Sequence, residues 1–123
     1  MDHNWEKYVD TSSELFEQLM SIYEKNDAFP KKVVKGRNLH HKFLRSWSKA
    51  ENEEIDNDPD NLVSLGLGDH FLVHWILWKI SKVGWKRYTA RAALLMYKKS
   101  LKYLTLDAAA DIANEWNEEM NTK

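Results

Sequence analysis

Four of the five histidines of this chain fall between residues 40 and 74, at a spacing that can do chemistry. His40 and His41 are adjacent, Asn61 follows, and His70 and His74 stand one helical turn apart. Helix positions four apart share a face, with Cβ atoms about 5–6 Å from each other, so two imidazoles there can reach one ion. Metal–nitrogen bonds of about 2.0–2.1 Å are readily built from such a pair. On a strand, neighbouring side chains leave by opposite faces, so an adjacent pair can divide two jobs where the strand twists or ends. One imidazole then faces a metal and the other a water. A neutral imidazole can take a proton near pH 7, while the ion acts as Lewis acid and template. These are the parts of a one-metal hydrolysis of a phosphodiester, an anion that water alone attacks poorly.

The elements that must position these groups can be read from periodicity and punctuation. Thr11, Ser12, Ser13 and Glu14 fit a capping box at the start of a helix over about residues 12–26. Leu15, Leu19 and Ile22, with Phe16, Met20 and Tyr23 beside them, make its core-facing stripe. Residues 1–10, His3 among them, read as a frayed end. After the break at Asp27 to Pro30, residues 32–44 read as a short β-ribbon turning near Gly36, with His40 and His41 in its second half. Residues 46–60 read as an acidic loop with a helical turn at 48–54. Its acids lack the Gly and the distant Glu of a calcium loop.

Leu62 and Val63 then lead inward, and Gly66 or Gly68 starts a helix to about Val83 carrying His70 and His74. Phe71, Leu72, Trp75, Ile76 and Ile80 dock it. Gly84 ends that helix, and another is expected over about residues 86–104, with Ala90, Leu94, Tyr97, Leu101 and Leu104 inward. Thr105 would cap a last helix over about 106–120 that buries Ile112 and Trp116. The expected architecture is one α+β domain over residues 1–123, mostly helical, with a β-ribbon and a helix forming the histidine site between flanking helices.

Composition bounds the partners. With 43% apolar residues in 123, the chain can bury a core without staples. The absence of cysteine excludes disulfides and thiolate-ligated zinc. The longest apolar run, Phe71 to Trp78, is interrupted by His74 and far too short to span a bilayer. The acidic N-terminus has no apolar h-region, so a cytoplasmic protein without a membrane partner is expected. A net charge of −1 conceals segregation: fifteen of eighteen Lys and Arg lie in residues 31–49 and 79–102. Arg87, Arg91, Lys98 and Lys102 fall within roughly 60° on a helix, a ridge able to track a phosphate backbone. Arg37 and Arg45 flank the paired histidines and can clamp phosphate oxygens bidentately.

The succession HH, NLVSL, DHFLVH resembles the HNH, or ββα-metal, nucleases, and the order His, His, Asn, His, His resembles the colicin-type DNases. The wording HFLVHWILWK is similar to small phage-borne HNH endonucleases, and the resemblance covers about residues 37–79. It implies that His40, His70 and His74 hold one divalent ion, Mg, Mn, Ni or Zn. It further implies that His41 is the general base, that Asn61 orders the loop holding His41, and that DNA is cut to 3′-hydroxyl and 5′-phosphate ends. In the family a proline and a Gly-rich turn often follow the paired histidines. Here Phe43, Leu44, Arg45 and an acidic loop stand instead. Cutting both strands would call for a homodimer, and a phage or host protein partner is the other association expected. Two rival readings are an HNH-like binding or inhibitor module that does not cleave, and a structural zinc protein in which a carboxylate such as Asp69 closes the site of His40, His70 and His74.

Overall fold

The computed structural model describes residues 3–100, with side chains through Lys98. The helix expected over 106–120, its cap Thr105, and the end of the helix expected to reach residue 104 lie outside the described residues. Four helices and two strands follow in the order α1 (Glu14–Asn26), β1 (Arg37–His41), α2 (Arg45–Ala50), β2 (Leu62–Gly66), α3 (Leu67–Ile80) and α4 (Lys86–Ser100). The architecture is α+β and mostly helical, with α3 following β2 directly in a ββα arrangement.

Helix α1 starts later than the capping box predicts. Asp10 Oδ1 accepts from the amide and the hydroxyl of Ser12, and Ser13 N donates to Asp10 O. That turn consumes Thr11, and Ser13 becomes the cap, its Oγ accepting from Leu15 N at 3.1 Å. The helix buries Leu19, Ile22, Tyr23 and Asn26 against α3 and β2.

The ribbon also differs from the expected one. Gly36 does turn the chain, at φ +83°, but only a single bridge joins Val34 to Arg37. Val33 is 86% exposed, so a strand over residues 32–36 would bury almost nothing. The partner of β1 is β2, antiparallel, with Arg37 opposite Gly66, His40 opposite Val63 and His41 opposite Leu62. This pairing encloses Val63 and Leu65 completely, each contributing about 1.5–3 kcal/mol of burial. Residues 42–61 connect the strands and contain α2, which buries Trp47.

Helix α3 is apolar on most of its circumference because it is packed on most of it, by α1, α4 and both strands. It is capped at Gly66 as expected but ends at Ile80, short of Val83. The N-terminal segment causes that early stop. Asp10 N donates to Ile80 O at 2.8 Å, Lys82 N donates to Tyr8 O at 2.9 Å, and Val9 bridges Ser81. Residues 3–10 are therefore not frayed. Tyr8 and Val9 are buried, Tyr8 stacks on Trp47 at 4.6 Å, and His3 stacks on Phe43 while bonding Asp56 at 2.8 Å. On α4 the buried residues are Thr89, Ala90, Ala93 and Met96, whereas Leu94 and Tyr97, expected inward, are half-buried. Among the described residues no helix is long and apolar enough to cross a membrane.

Candidate metal centre

Strand alternation sends Asn38 and His40 to the face of β1 that meets α3. From α3, His70 and His74 reach back from one helical face. The three rings converge, with centroids 5.5 Å apart for His40 and His70, 5.0 Å for His40 and His74, and 4.8 Å for His70 and His74. One ring nitrogen of each lies within 4.8 Å of those of the other two. The Nε2 atoms of His70 and His74 are 3.1 Å apart. Two ligands at about 2.0–2.1 Å from a tetrahedral ion stand roughly 3.3 Å from each other, so this pair is already at ligating distance. His40, His70 and His74 can hold a metal ion, and among the described residues no other group of side chains meets that spacing.

The electrostatics suit ligation. Burial, reinforced by His74 and His70, holds His40 well below its ordinary value, and burial followed by His70 pushes His74 down to about 3. Imidazoles kept neutral have the lone pair a cation needs. On His40 and His70 the nitrogens turned away from the cluster have neighbours of their own. Tyr23 Oη lies 3.0 Å from His40 Nε2 in the interior, and Asn38 Nδ2 lies 3.4 Å from His70 Nδ1. His74 Nδ1 is buried without a hydrogen-bond partner among the described residues.

His41 stands where β1 ends, and its Nε2 hydrogen donates to Asn57 Oδ1 at 2.8 Å. With Asn57 Oδ1 as acceptor, Nε2 carries a hydrogen, and in the neutral ring the lone pair is then on Nδ1. Asn61, buried, staples the connection that carries Asn57. Its Oδ1 accepts from Phe43 N at 2.9 Å, its Nδ2 donates to Asp56 O at 2.9 Å, and its carbonyl accepts from Lys42 N at 2.8 Å. Asp56 is the residue before Asn57, so the hold on His41 passes through Asn61.

A cavity of about 430 Å³ gathers His40, His41, His70 and His74 with Arg45 and Lys49 of α2 and Ala92 of α4. Neither Arg45 nor Lys49 has an ion-pair or hydrogen-bond partner among the described residues, whereas Lys7, Lys25, Lys31 and Lys42 all pair with acids. The other arginines lie elsewhere. Arg37 has its guanidinium committed to Ser64 and Asn26 and stacked over Phe29 at 3.6 Å, so it clamps α1 to the sheet. Arg87 and Arg91 are exposed on α4 and do not line the cavity, and Arg87 lies against Tyr88. A larger cavity, about 530 Å³, lies across Tyr23 and Asn61 and is lined by Asp56, Asp58 and Asp60, a field that repels phosphate.

The residues that linear reasoning missed are Asn38, Tyr23, Lys49 and Asn57. Lys49 was visible only as one of a basic run, Asn57 sits in a stretch that reads as a solvated acidic loop, and Tyr23 is hidden in an apolar helical stripe. No family model matches the chain, nor does any curated protein or solved structure.

Proposed function

We propose that the chain is a metal-dependent endonuclease of the HNH type, hydrolysing DNA phosphodiester bonds with one divalent ion, Mg, Mn, Ni or Zn, and a histidine general base. The observation that carries this reading is the single cavity in which three convergent imidazoles, His41 bonded to Asn57, and two cations with no ion-pair partner among the described residues meet. His40, His70 and His74 hold the ion, which when bound supplies Lewis acidity to the phosphoryl oxygens. His41 Nδ1 accepts the proton of the attacking water. The water oxygen bonds to phosphorus as the bond from phosphorus to the 3′ oxygen breaks, giving 3′-hydroxyl and 5′-phosphate ends. Arg45 and Lys49 take the phosphate charge on the rim. On DNA the protein would work in the cytoplasm, of a bacterial host if phage-borne.

A structural zinc site is less well supported. Asp69, the carboxylate named for its fourth position, has its Oδ2 already accepting from Asn26 Nδ2 and Lys25 Nζ, each at 3.1 Å, and no other His, Asp or Glu among the described residues joins the three histidines. The direct test is incubation of supercoiled plasmid with purified protein, in EDTA and in each of the four metals. Nicking or linearisation that appears with metal and vanishes with EDTA is the expected result. A folded, metal-loaded protein that leaves plasmid intact would transfer the site to the non-cleaving binding module.

A further inference from the structure

Tyr23 belongs to α1, seventeen residues before His40, and nothing in its sequence position connects it with the histidines. Its side chain is 3% exposed, and its hydroxyl meets His40 Nε2 at 3.0 Å. An imidazole that ligates through one nitrogen carries a proton on the other, and a polar group facing that proton orients the ring and raises its basicity. His40 has its Nε2 occupied by Tyr23, so Nδ1 is the nitrogen left for an ion. The same logic selects Nε2 on His70, whose Nδ1 faces Asn38, while on His74 the choice of Nε2 rests on its distance of 3.1 Å from that of His70.

We infer that Tyr23 is a positioning residue of the metal centre: its hydroxyl oxygen accepts the Nε2 hydrogen of His40 and thereby makes His40 an Nδ1 ligand beside the Nε2 atoms of His70 and His74. This rests on the metal-holding part of the proposed function and not on cleavage. The geometry ties α1 to the centre, because the one side-chain hydrogen bond to the buried ring of His40 among the described residues comes from a helix outside the ββα unit. A bound cation polarises the ring and strengthens the bond to the phenol oxygen, so ion and tyrosine stabilise each other's arrangement.

Two measurements on the full chain test it. The first is Zn²⁺ affinity by competition with a chromophoric chelator for wild type and Tyr23→Phe, with circular dichroism to show that the variant is folded. The phenylalanine keeps the ring and removes only the hydroxyl, and a 10- to 100-fold weaker affinity is expected. Unchanged or tighter binding overturns the role. The second needs no variant: ¹¹³Cd bound to uniformly ¹⁵N-labelled protein, read by cadmium–nitrogen coupling. Coupling to His40 Nδ1, with His70 and His74 coupled through Nε2, is expected, and coupling to His40 Nε2 overturns the assignment. Failure of Cd²⁺ to bind at all would overturn the metal centre itself. Coupling as expected in a protein that never cleaves DNA would overturn only the nuclease reading.

Discussion

The two ends of β1 carry polar residues of similar kind and use them in opposite ways. At one end Arg37 donates to Ser64 Oγ at 3.0 Å, to Ser64 O at 2.6 Å and to Asn26 Oδ1 at 2.7 Å, and Asn26 in turn donates to Asp69. Hydrogen bonds inside the fold hold that end together. At the other end, among the described residues, His74 Nδ1 has no hydrogen-bond partner, the Nε2 atoms of His70 and His74 face each other at 3.1 Å, and Arg45 and Lys49 border a cavity without an acid paired to them. A buried imidazole nitrogen left without a partner costs stability there, whereas exposed cations beside it cost little. The difference points to where function is sought: satisfied polar groups hold the sheet to α1, and the other end gathers the three histidines that could hold an ion.

The comparison can be broken most severely at the histidine end. His70→Ala or His74→Ala is expected to abolish metal binding and cleavage together, measured by chelator competition and plasmid nicking, while the protein stays folded. Retained tight binding in either variant would mean the trio is not the ligand set. At the opposite end Arg37→Ala should act on stability instead. Each buried partner left unsatisfied costs about 1–3 kcal/mol, enough to lower the midpoint of thermal unfolding by several degrees. Metal affinity well below that midpoint should be unchanged, and a selective loss of affinity would contradict the division of labour.

Smaller effects sharpen the same contrast. Arg45→Ala and Lys49→Ala should leave stability within about 0.5 kcal/mol but weaken DNA binding, each lowering the salt-dependence slope by about one. Salt titrations of binding to a labelled duplex would show this, and an unchanged slope would remove these residues from the phosphate path. Arg87→Ala and Arg91→Ala, outside the cavity on α4, should weaken binding less and leave the rate of bound cleavage alone. A drop in that rate would place α4 nearer the chemistry than its exposure implies.

Much of the site was legible because helical spacing is local. His70 and His74 share a face whatever surrounds them, and Gly66 marks the start of α3 in the sequence itself. What the sequence concealed was non-local. The true partner of β1 lies across residues 42–61, and a ribbon turning at Gly36 is the more economical reading until the exposure of Val33 is known. The N-terminal segment looks frayed in isolation, yet Tyr8 and Val9 gain burial from Trp47 and the end of α3, both distant in sequence. Arg37 looks like a phosphate clamp because it flanks the paired histidines, but its reach toward Asn26 depends on where α1 docks. Asn57 and Tyr23 became visible for the same reason, through contacts of 16 and 17 residues' separation.

The central claim is that ion and base are separate functions housed in one cavity, and one preparation of His41→Ala tests it most directly. Metal occupancy and single-turnover cleavage of a labelled duplex would be measured side by side with wild type. Full occupancy with cleavage reduced about 10²- to 10⁴-fold is expected. Undiminished cleavage, or loss of the metal together with His41, would contradict it.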